Sequence, residues 1–266
     1  MTVKQSPDPQ DIRAAFFDVD GTIVGFETHE VSERTRATLA RLRGRGVATV
    51  LATGRPTYQL ESVPLELFDA VIAFNGQLCR LADGTVVRDE PLRPADVAAI
   101  VDQCRRGLYQ AMFQTRDAFF LSGRDEWVTT LEEAIDFRYP VDDPARALAE
   151  TVYQVNAFMS GERDHLITDA VPGLKCLRWF PSFADVIPAD GGKDVGVRLV
   201  LEHLGIDPSQ AVCFGDGEND ISMLDACGHA VVMGSASDEV KAHATLVTDD
   251  VAHEGVTRAC ERLGLV

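Results

Sequence analysis

The residues best suited to chemistry in this sequence are aspartates. Asp18 and Asp20 stand two apart in Asp18-Val19-Asp20-Gly21-Thr22, directly after the apolar run Ala14-Ala15-Phe16-Phe17. Residues two apart on an extended backbone point to the same side, so the two carboxylates are expected to share one face, and Gly21 permits a tight turn behind them. A third carboxylate, Asp216, follows the apolar run Ala211-Val212-Cys213-Phe214 in the segment Gly215-Asp216-Gly217-Glu218-Asn219-Asp220. Carboxylates drawn together repel one another unless a cation sits among them. Oxygen donors of this hardness suit Mg²⁺, which is held by few protein groups, keeps several waters and takes substrate phosphate as a ligand. An ionised aspartate is also a nucleophile for phosphoryl groups, forming an aspartyl phosphate. Asp18, first off its run, is the expected nucleophile. Asp20 is then the expected general acid for the leaving alcohol and base for the water that follows.

Two further groups fit the same chemistry. Lys193 follows two glycines and opens a helix, where it could meet a phosphate, and Thr53 with Gly54 offers a hydroxyl and backbone N–H groups after the run Val47 to Ala52. In phosphoryl transfer such positioned cations and donors do most of the catalytic work. Each signal alone has a plain structural reading. An Asp-x-Asp is a solvated turn, Thr-Gly is ordinary turn chemistry, a lysine at a helix start is a surface charge, and Asn219 or Asp220 is a helix cap. Together, in this order and each at a strand end or helix start, they read as one site.

The elements that would position them follow from the apolar pattern. Short apolar runs end at Asp18, Ala52 and Phe74, with a helix from about Ser32 to Arg43, which is the grammar of βα units in a parallel sheet. The pattern then changes to a hairpin, 78–81 and 85–88 around Ala82-Asp83-Gly84. Residues 91 to about 187 are mixed, with a helix after Pro94 (Val97, Ile100, Val101, Cys104, Leu108 at helical spacing) and strands near 110–121, 152–159 and 174–180. Past Asp190 the parallel grammar resumes: a helix from Lys193 to Leu204, then strands at 211–214, 230–233 and 245–247. The expected fold class is α/β, a Rossmann-like doubly wound parallel sheet built from both ends of the chain and interrupted by an inserted α+β domain. The expected division is 1–80 and 189–266 for the core and 81–188 for the insertion. In open sheets of this kind ligands bind beyond the carboxyl ends of the strands, which is where the motifs fall.

Composition bounds the partners. The chain has 266 residues and a formal net charge of −17, which argues against nucleic acid as a main partner and against anionic membrane surfaces. An anionic substrate would need a local cation, here supplied by a metal and Lys193. Residues 1–13 carry charge and no apolar stretch of the signal-peptide kind, and no apolar run approaches the roughly 18 residues of a spanning helix, so a cytoplasmic location is expected. The six cysteines show no metal-site spacing and are expected to be reduced, several acting as small buried hydrophobes.

With these residues in view, the chain resembles the haloacid dehalogenase superfamily in its Cof-type phosphatase branch. The resemblance rests on Asp18 to Thr22, Thr53, Lys193 and Gly215 to Asp220 in unbroken order, on Phe214 to Leu224, and on Phe74-Asn75-Gly76 before the insertion. It implies a mobile α/β cap of the C2 (C2B-like) kind as the inserted domain. It implies Mg²⁺ held by the Asp18 carboxylate, the Asp20 backbone carbonyl and Asp216, with Asp220 as a further ligand or a support. Asn219 is similar to a residue that orders the phosphate pocket. The aspartate at position 20 favours phosphomonoester hydrolysis; the expected substrates are small phosphorylated metabolites, sugar phosphates foremost, and the expected state is a monomer or small homo-oligomer. In the cap, Arg116, Arg124, Asn156 and Arg178 could read a substrate's hydroxyls or charge, while Trp127 and Trp179 read as cap core. The competing expectations are a phosphohexomutase resembling phosphomannomutase, which shares Asp-Val-Asp-Gly-Thr, and a catalytically silent ligand-binding member of the fold.

Overall fold

The computed structural model describes residues 11–180 and 182–266, apart from the side chains of Ala134 and Trp179. The expectations for residues 1–10 and for the Trp179 ring lie outside the described residues.

In chain order the elements are β1 (Ala14–Phe17), α1 (Glu33–Gly44), β2 (Ala48–Ala52), β3 (Ala70–Ala73), β4 (Leu78–Leu81), β5 (Val86–Asp89), α2 (Pro94–Arg105), β6 (Gln110–Thr115), β7 (Phe119–Leu121), α3 (Glu126–Ala134), β8 (Val152–Phe158), α4 (His165–Thr168), β9 (Leu174–Phe180), β10 (Phe183–Pro188), α5 (Lys193–Leu204), β11 (Ala211–Gly215), α6 (Ile221–Ala226), β12 (His229–Val232), α7 (Asp238–Lys241), β13 (Leu246–Val247) and α8 (Gly255–Arg262). They form two compact units. One holds residues up to Arg55, Gln59–Asp89 and Gly192–Val266; the other holds Pro56–Tyr58 and Glu90–Gly191.

The first unit is a sheet in the order β13-β12-β11-β1-β2-β3-β4-β5, parallel from β13 to β3 and antiparallel beyond. Its central strands are almost continuously apolar, buried Thr49 of β2 being an exception, because both faces are covered, as parallel sheets require. Ala15, Phe17, Val212 and Phe214 face a core with Leu39 and Leu42 of α1 and Val256 and Ala259 of α8. Ala14, Phe16, Ala211 and Cys213 face the opposite core with Val197, Val200 and Leu201 of α5 and Met223 and Leu224 of α6. The hairpin β4–β5 pairs onto β3, so the units divide at Asp89/Glu90 and Gly191/Gly192, beyond the change of pattern seen in the sequence. Helix α1 starts where Ser32 accepts a hydrogen bond from the Thr35 N–H at 3.0 Å, the usual cap that replaces a missing helical partner.

The second unit is an antiparallel sheet in the order β7-β6-β8-β10-β9. Helix α2 packs Val97, Ile100 and Val101 against Phe113, Val155 and Ala157 on one face, and α3 packs Val128 and Leu131 against Met112, Leu121 and Phe158 on the other. Strand β10 was not legible in the sequence: Phe183-Ala184-Asp185-Val186-Ile187-Pro188 carries an aspartate in mid-run and ends in proline, and it takes its place by pairing with β8 and β9.

One expectation about the cysteines is corrected. Cys213 and Cys227 form a disulfide, whereas Cys79, Cys104, Cys176 and Cys260 are free thiols. The pair is 14 residues apart in sequence, and only the return of α6 beside β11 brings the two Cα atoms to 6.2 Å, within bonding range.

Candidate active site

The site is built at the carboxyl ends of β1 and β11, at the point where the first unit's connections diverge to either side of β1. Phe17 and Phe214 are directly opposed in register, their rings stacked at 4.8 Å, and the Asp18 N–H donates to the Phe214 carbonyl at 3.0 Å. Two wholly buried rings thus fix the register on which the next residues of each strand depend.

Beyond that point the chain turns polar and four expected residues converge. Lys193, the first residue of α5, is fully buried, and its Nζ donates to Asp18 Oδ1 at 2.5 Å and to Asp220 Oδ1 at 2.6 Å. Carboxylate oxygens of Asp18, Asp216 and Asp220 lie within 4.8 Å of one another. Asp220 is occupied on both sides, since its Oδ2 accepts the N–H groups of Asp216 at 3.0 Å and Gly217 at 2.9 Å. Thr22 donates its hydroxyl to Asp216 Oδ1 at 3.0 Å. Gly21 has φ +79°, and a Cβ there would run into the Asp216 carboxylate, so this turn requires glycine twice over.

Three carboxylates against one ammonium in a buried setting leave an excess of negative charge. Burial pushes the Asp18 carboxyl well above the ordinary range, with Asp220 adding to the rise and Lys193 opposing it. Burial and then Asp220 push Asp216 up to about 7, against the Thr22 hydrogen bond and Lys193. Burial works to lower the Lys193 ammonium, but Asp18 and Asp220 outweigh it and hold the group above its usual value. A hard cation among these oxygens would remove the excess, and the donor set fits one.

The other expected residues are placed differently. The Asp20 carboxylate turns to Arg55, whose Nε donates to Oδ2 at 2.9 Å and whose Nη2 donates to Oδ1 at 2.5 Å. Thr53 is buried at the end of β2, where its hydroxyl oxygen accepts the Arg55 N–H at 3.0 Å; Gly54 lies between them. Asn219 donates its side-chain amide to Asn75 Oδ1 at 3.1 Å. Arg55, Asn75 and Thr22 are partners to which sequence reasoning gave no role of their own. The signals were present: Arg55 is a cation two residues after Thr53 in an acidic chain, and Asn75-Gly76 is a turn pair. Asn75 and Gly76 both have positive φ, and a Cβ at Gly76 would run into the Gly192 carbonyl, so this turn also lets the chain before Lys193 approach.

In the second unit the expected specificity residues are largely held by their own neighbours. Arg124 pairs with buried Glu132, Arg178 pairs with Asp164, and Asn156 bridges Gln114 and Asp185 in a buried ladder. The Arg116 guanidinium lies 5.3 Å over the Tyr153 ring, and Trp127 packs against the α3 core as expected.

A family model of haloacid dehalogenase-like hydrolases matches residues 15–259. The chain belongs to the haloacid dehalogenase superfamily. An HMP-PP phosphatase of Escherichia coli is 30% identical over 255 residues, covering 86% of this chain and 87% of the relative. Among solved structures, BT1666 from Bacteroides thetaiotaomicron, a phosphatase of the superfamily, is 31% identical with a TM-score of 0.90 over 96% of each chain. The subclass IIB sugar phosphatase BT4131 is 29% identical with a TM-score of 0.87, covering 96% of this chain and 100% of its own. The superfamily match and these relatives make the chain an enzyme of the phosphatase class. No helix among the described residues is long and apolar enough to cross a membrane.

Proposed function

We propose that the chain is a Mg²⁺-dependent phosphatase of small phosphorylated metabolites, sugar phosphates foremost, acting through an aspartyl phosphate on Asp18. The observation that carries the reading is Lys193 Nζ bridging Asp18 and Asp220 beside Asp216 in a buried cluster. The Asp18 and Asp216 carboxylates and the Asp20 main-chain carbonyl would hold Mg²⁺. Asp220, whose Oδ2 already accepts two backbone N–H groups and whose Oδ1 accepts from Lys193, would serve as a further ligand through Oδ1 or as a support. When bound, the ion would neutralise charge on the transferring phosphoryl oxygens and on the carboxylates around them.

Lys193 orients the Asp18 carboxylate through one oxygen and leaves the other for attack on phosphorus. As the new bond from Asp18 forms, the bond to the leaving oxygen breaks, and Asp20 delivers the proton that oxygen needs. Water then attacks phosphorus, passes a proton to Asp20, and Asp18 departs as a carboxylate. Thr53, Gly54 and Asn219 supply donors to the phosphoryl oxygens, each such donor contributing on the order of 10²-fold in rate. Sugar phosphates are favoured because the resemblance to the sugar phosphatase BT4131 spans nearly the whole of both chains.

The test is a screen of phosphorylated metabolites for Mg²⁺-dependent phosphate release, with Asp18→Asn as control. Isomerised sugar phosphate without free phosphate would instead indicate a mutase. Full activity of Asp18→Asn would remove the nucleophile assignment, and absence of turnover on every substrate would favour a silent binding protein.

A further inference from the structure

The proton carrier of the proposed reaction is not part of the buried cluster, and what holds it is Arg55. Both oxygens of Asp20 are gripped by the Arg55 fork, and Arg55 Nη1 donates to the Gln59 carbonyl at 3.1 Å. The Arg55 N–H is itself tied to the Thr53 hydroxyl oxygen, so the residue is anchored at its backbone and at its guanidinium. The two side chains are 25% and 28% exposed, whereas Asp18 and Lys193 lie at 9% and 0%. Asp20 is therefore more exposed to solvent than the nucleophile is.

A planar guanidinium that donates two parallel bonds fixes the plane of a carboxylate as well as its position. A carboxylate accepts at about four lone-pair sites, and the fork engages one on each oxygen, so each oxygen keeps a lone pair for a proton. We propose that Arg55 is the positioning residue for Asp20, holding its carboxylate in the plane from which it delivers a proton to the leaving oxygen and receives one from water. This inference rests on the phosphatase reading above. In the first step the electron pair of the breaking phosphorus–oxygen bond stays on the leaving oxygen, the proton on Asp20 passes to that oxygen, and Asp20 remains as a carboxylate within the fork. In the second, the proton of the attacking water moves to the same carboxylate.

The rival account is an ordinary partly exposed ion pair that supports the turn, worth little to stability and nothing to proton transfer. The two differ in their dependence on the leaving group. The experiment measures kcat/KM with Mg²⁺ for p-nitrophenyl phosphate, whose leaving group needs little protonation, and for phenyl phosphate, whose leaving group needs more. The ratio kcat/KM reports formation of the aspartyl phosphate and not its hydrolysis. Asp20→Asn, Arg55→Ala and Arg55→Lys are compared with the parent, and circular dichroism and Tm verify folding. If Arg55 positions Asp20, Arg55→Ala loses on the order of tenfold more with phenyl phosphate than with p-nitrophenyl phosphate, in the direction shown by Asp20→Asn. Arg55→Lys keeps the charge and loses the fork, so it shows the same selective loss, and it carries the test should the alanine variant fail to fold. Equal losses on the two substrates, or full rescue by lysine, while Asp20→Asn remains selective, would overturn the Arg55 proposal alone. Absence of selectivity in Asp20→Asn would overturn the proton-carrier reading and the proposal together.

Discussion

Lys193 Nζ and Asp18 Oδ1 meet at 2.5 Å although 175 residues separate them in the chain. The contact joins the first strand of the sheet to the first residue of the helix that resumes the core after the insertion. Lys193→Met leaves Asp18 and Asp220 facing each other without their shared cation. Loss of one partner from a buried ionic group costs about 3–5 kcal/mol, and the expected result is a urea midpoint lowered correspondingly at pH 8 in chelator. The rate is expected to fall by at least about 10²-fold with Mg²⁺ present.

The raised carboxyls predict how the metal-free protein responds to pH. Asp216 has its folded pKa pushed up to about 7 from 3.8, so the folded state binds a proton that the unfolded chain has already released. Its contribution to stability is fully present below the unfolded value and is lost as pH rises through about 7. In chelator, the Tm of the parent minus that of Asp216→Asn should therefore decline between pH 4 and 8. Added Mg²⁺ should raise the parent Tm most at the alkaline end, because ion binding displaces the protons. A flat difference across this range would contradict the buried-cluster electrostatics.

Metal removal gives a direct check on the cation argument. Activity toward p-nitrophenyl phosphate should vanish in excess chelator and return with Mg²⁺. Asp216→Asn should need a markedly higher Mg²⁺ concentration for half activity. Activity that survives chelation would contradict the assignment.

Gly21→Ala places a methyl group against the Asp216 carboxylate at a backbone φ of +79°. The expected cost is more than about 1 kcal/mol of stability, from strain and collision together. The same change displaces the carboxylate, so the half-saturating Mg²⁺ concentration should rise with it. Calorimetric unfolding and a Mg²⁺ titration of activity measure the two effects separately.

Asn75→Gly keeps the left-handed backbone at residue 75 (φ 51°) and removes the acceptor for the Asn219 amide. A net loss near 1 kcal/mol is typical of such a hydrogen bond. If Asn219 orders the phosphate pocket, competitive inhibition by inorganic phosphate should weaken severalfold in Asn75→Gly, as in Asn219→Ala. Unchanged inhibition in both variants would remove Asn219 from the phosphate site.

The sequence by itself determined the core strands, the order of the motifs and the residues that converge on the cluster. Buried parallel strands are written as continuous apolar runs, and the polar residue that ends each run lies where ligands bind. Asp18 and Asp216 were legible for that reason, Lys193 from its place after two glycines at a helix start, and α5 from its local stripe of Val197, Val200, Leu201 and Leu204. What only the tertiary structure decided are pairings between distant segments. The grip of Arg55 on Asp20 spans 35 residues, the Asn75–Asn219 bond spans 144, and the closeness of Cys213 to Cys227 depends on how α6 returns beside β11. Strand β10, with Asp185 in its middle, is a strand because β8 and β9 flank it. A hydrogen-bonding group announces its capacity in the sequence, but its partner is chosen by where the fold brings the chain back. That is why Asp20 stands out in the sequence as a carboxylate two residues from Asp18, while its partner Arg55 became visible only in three dimensions.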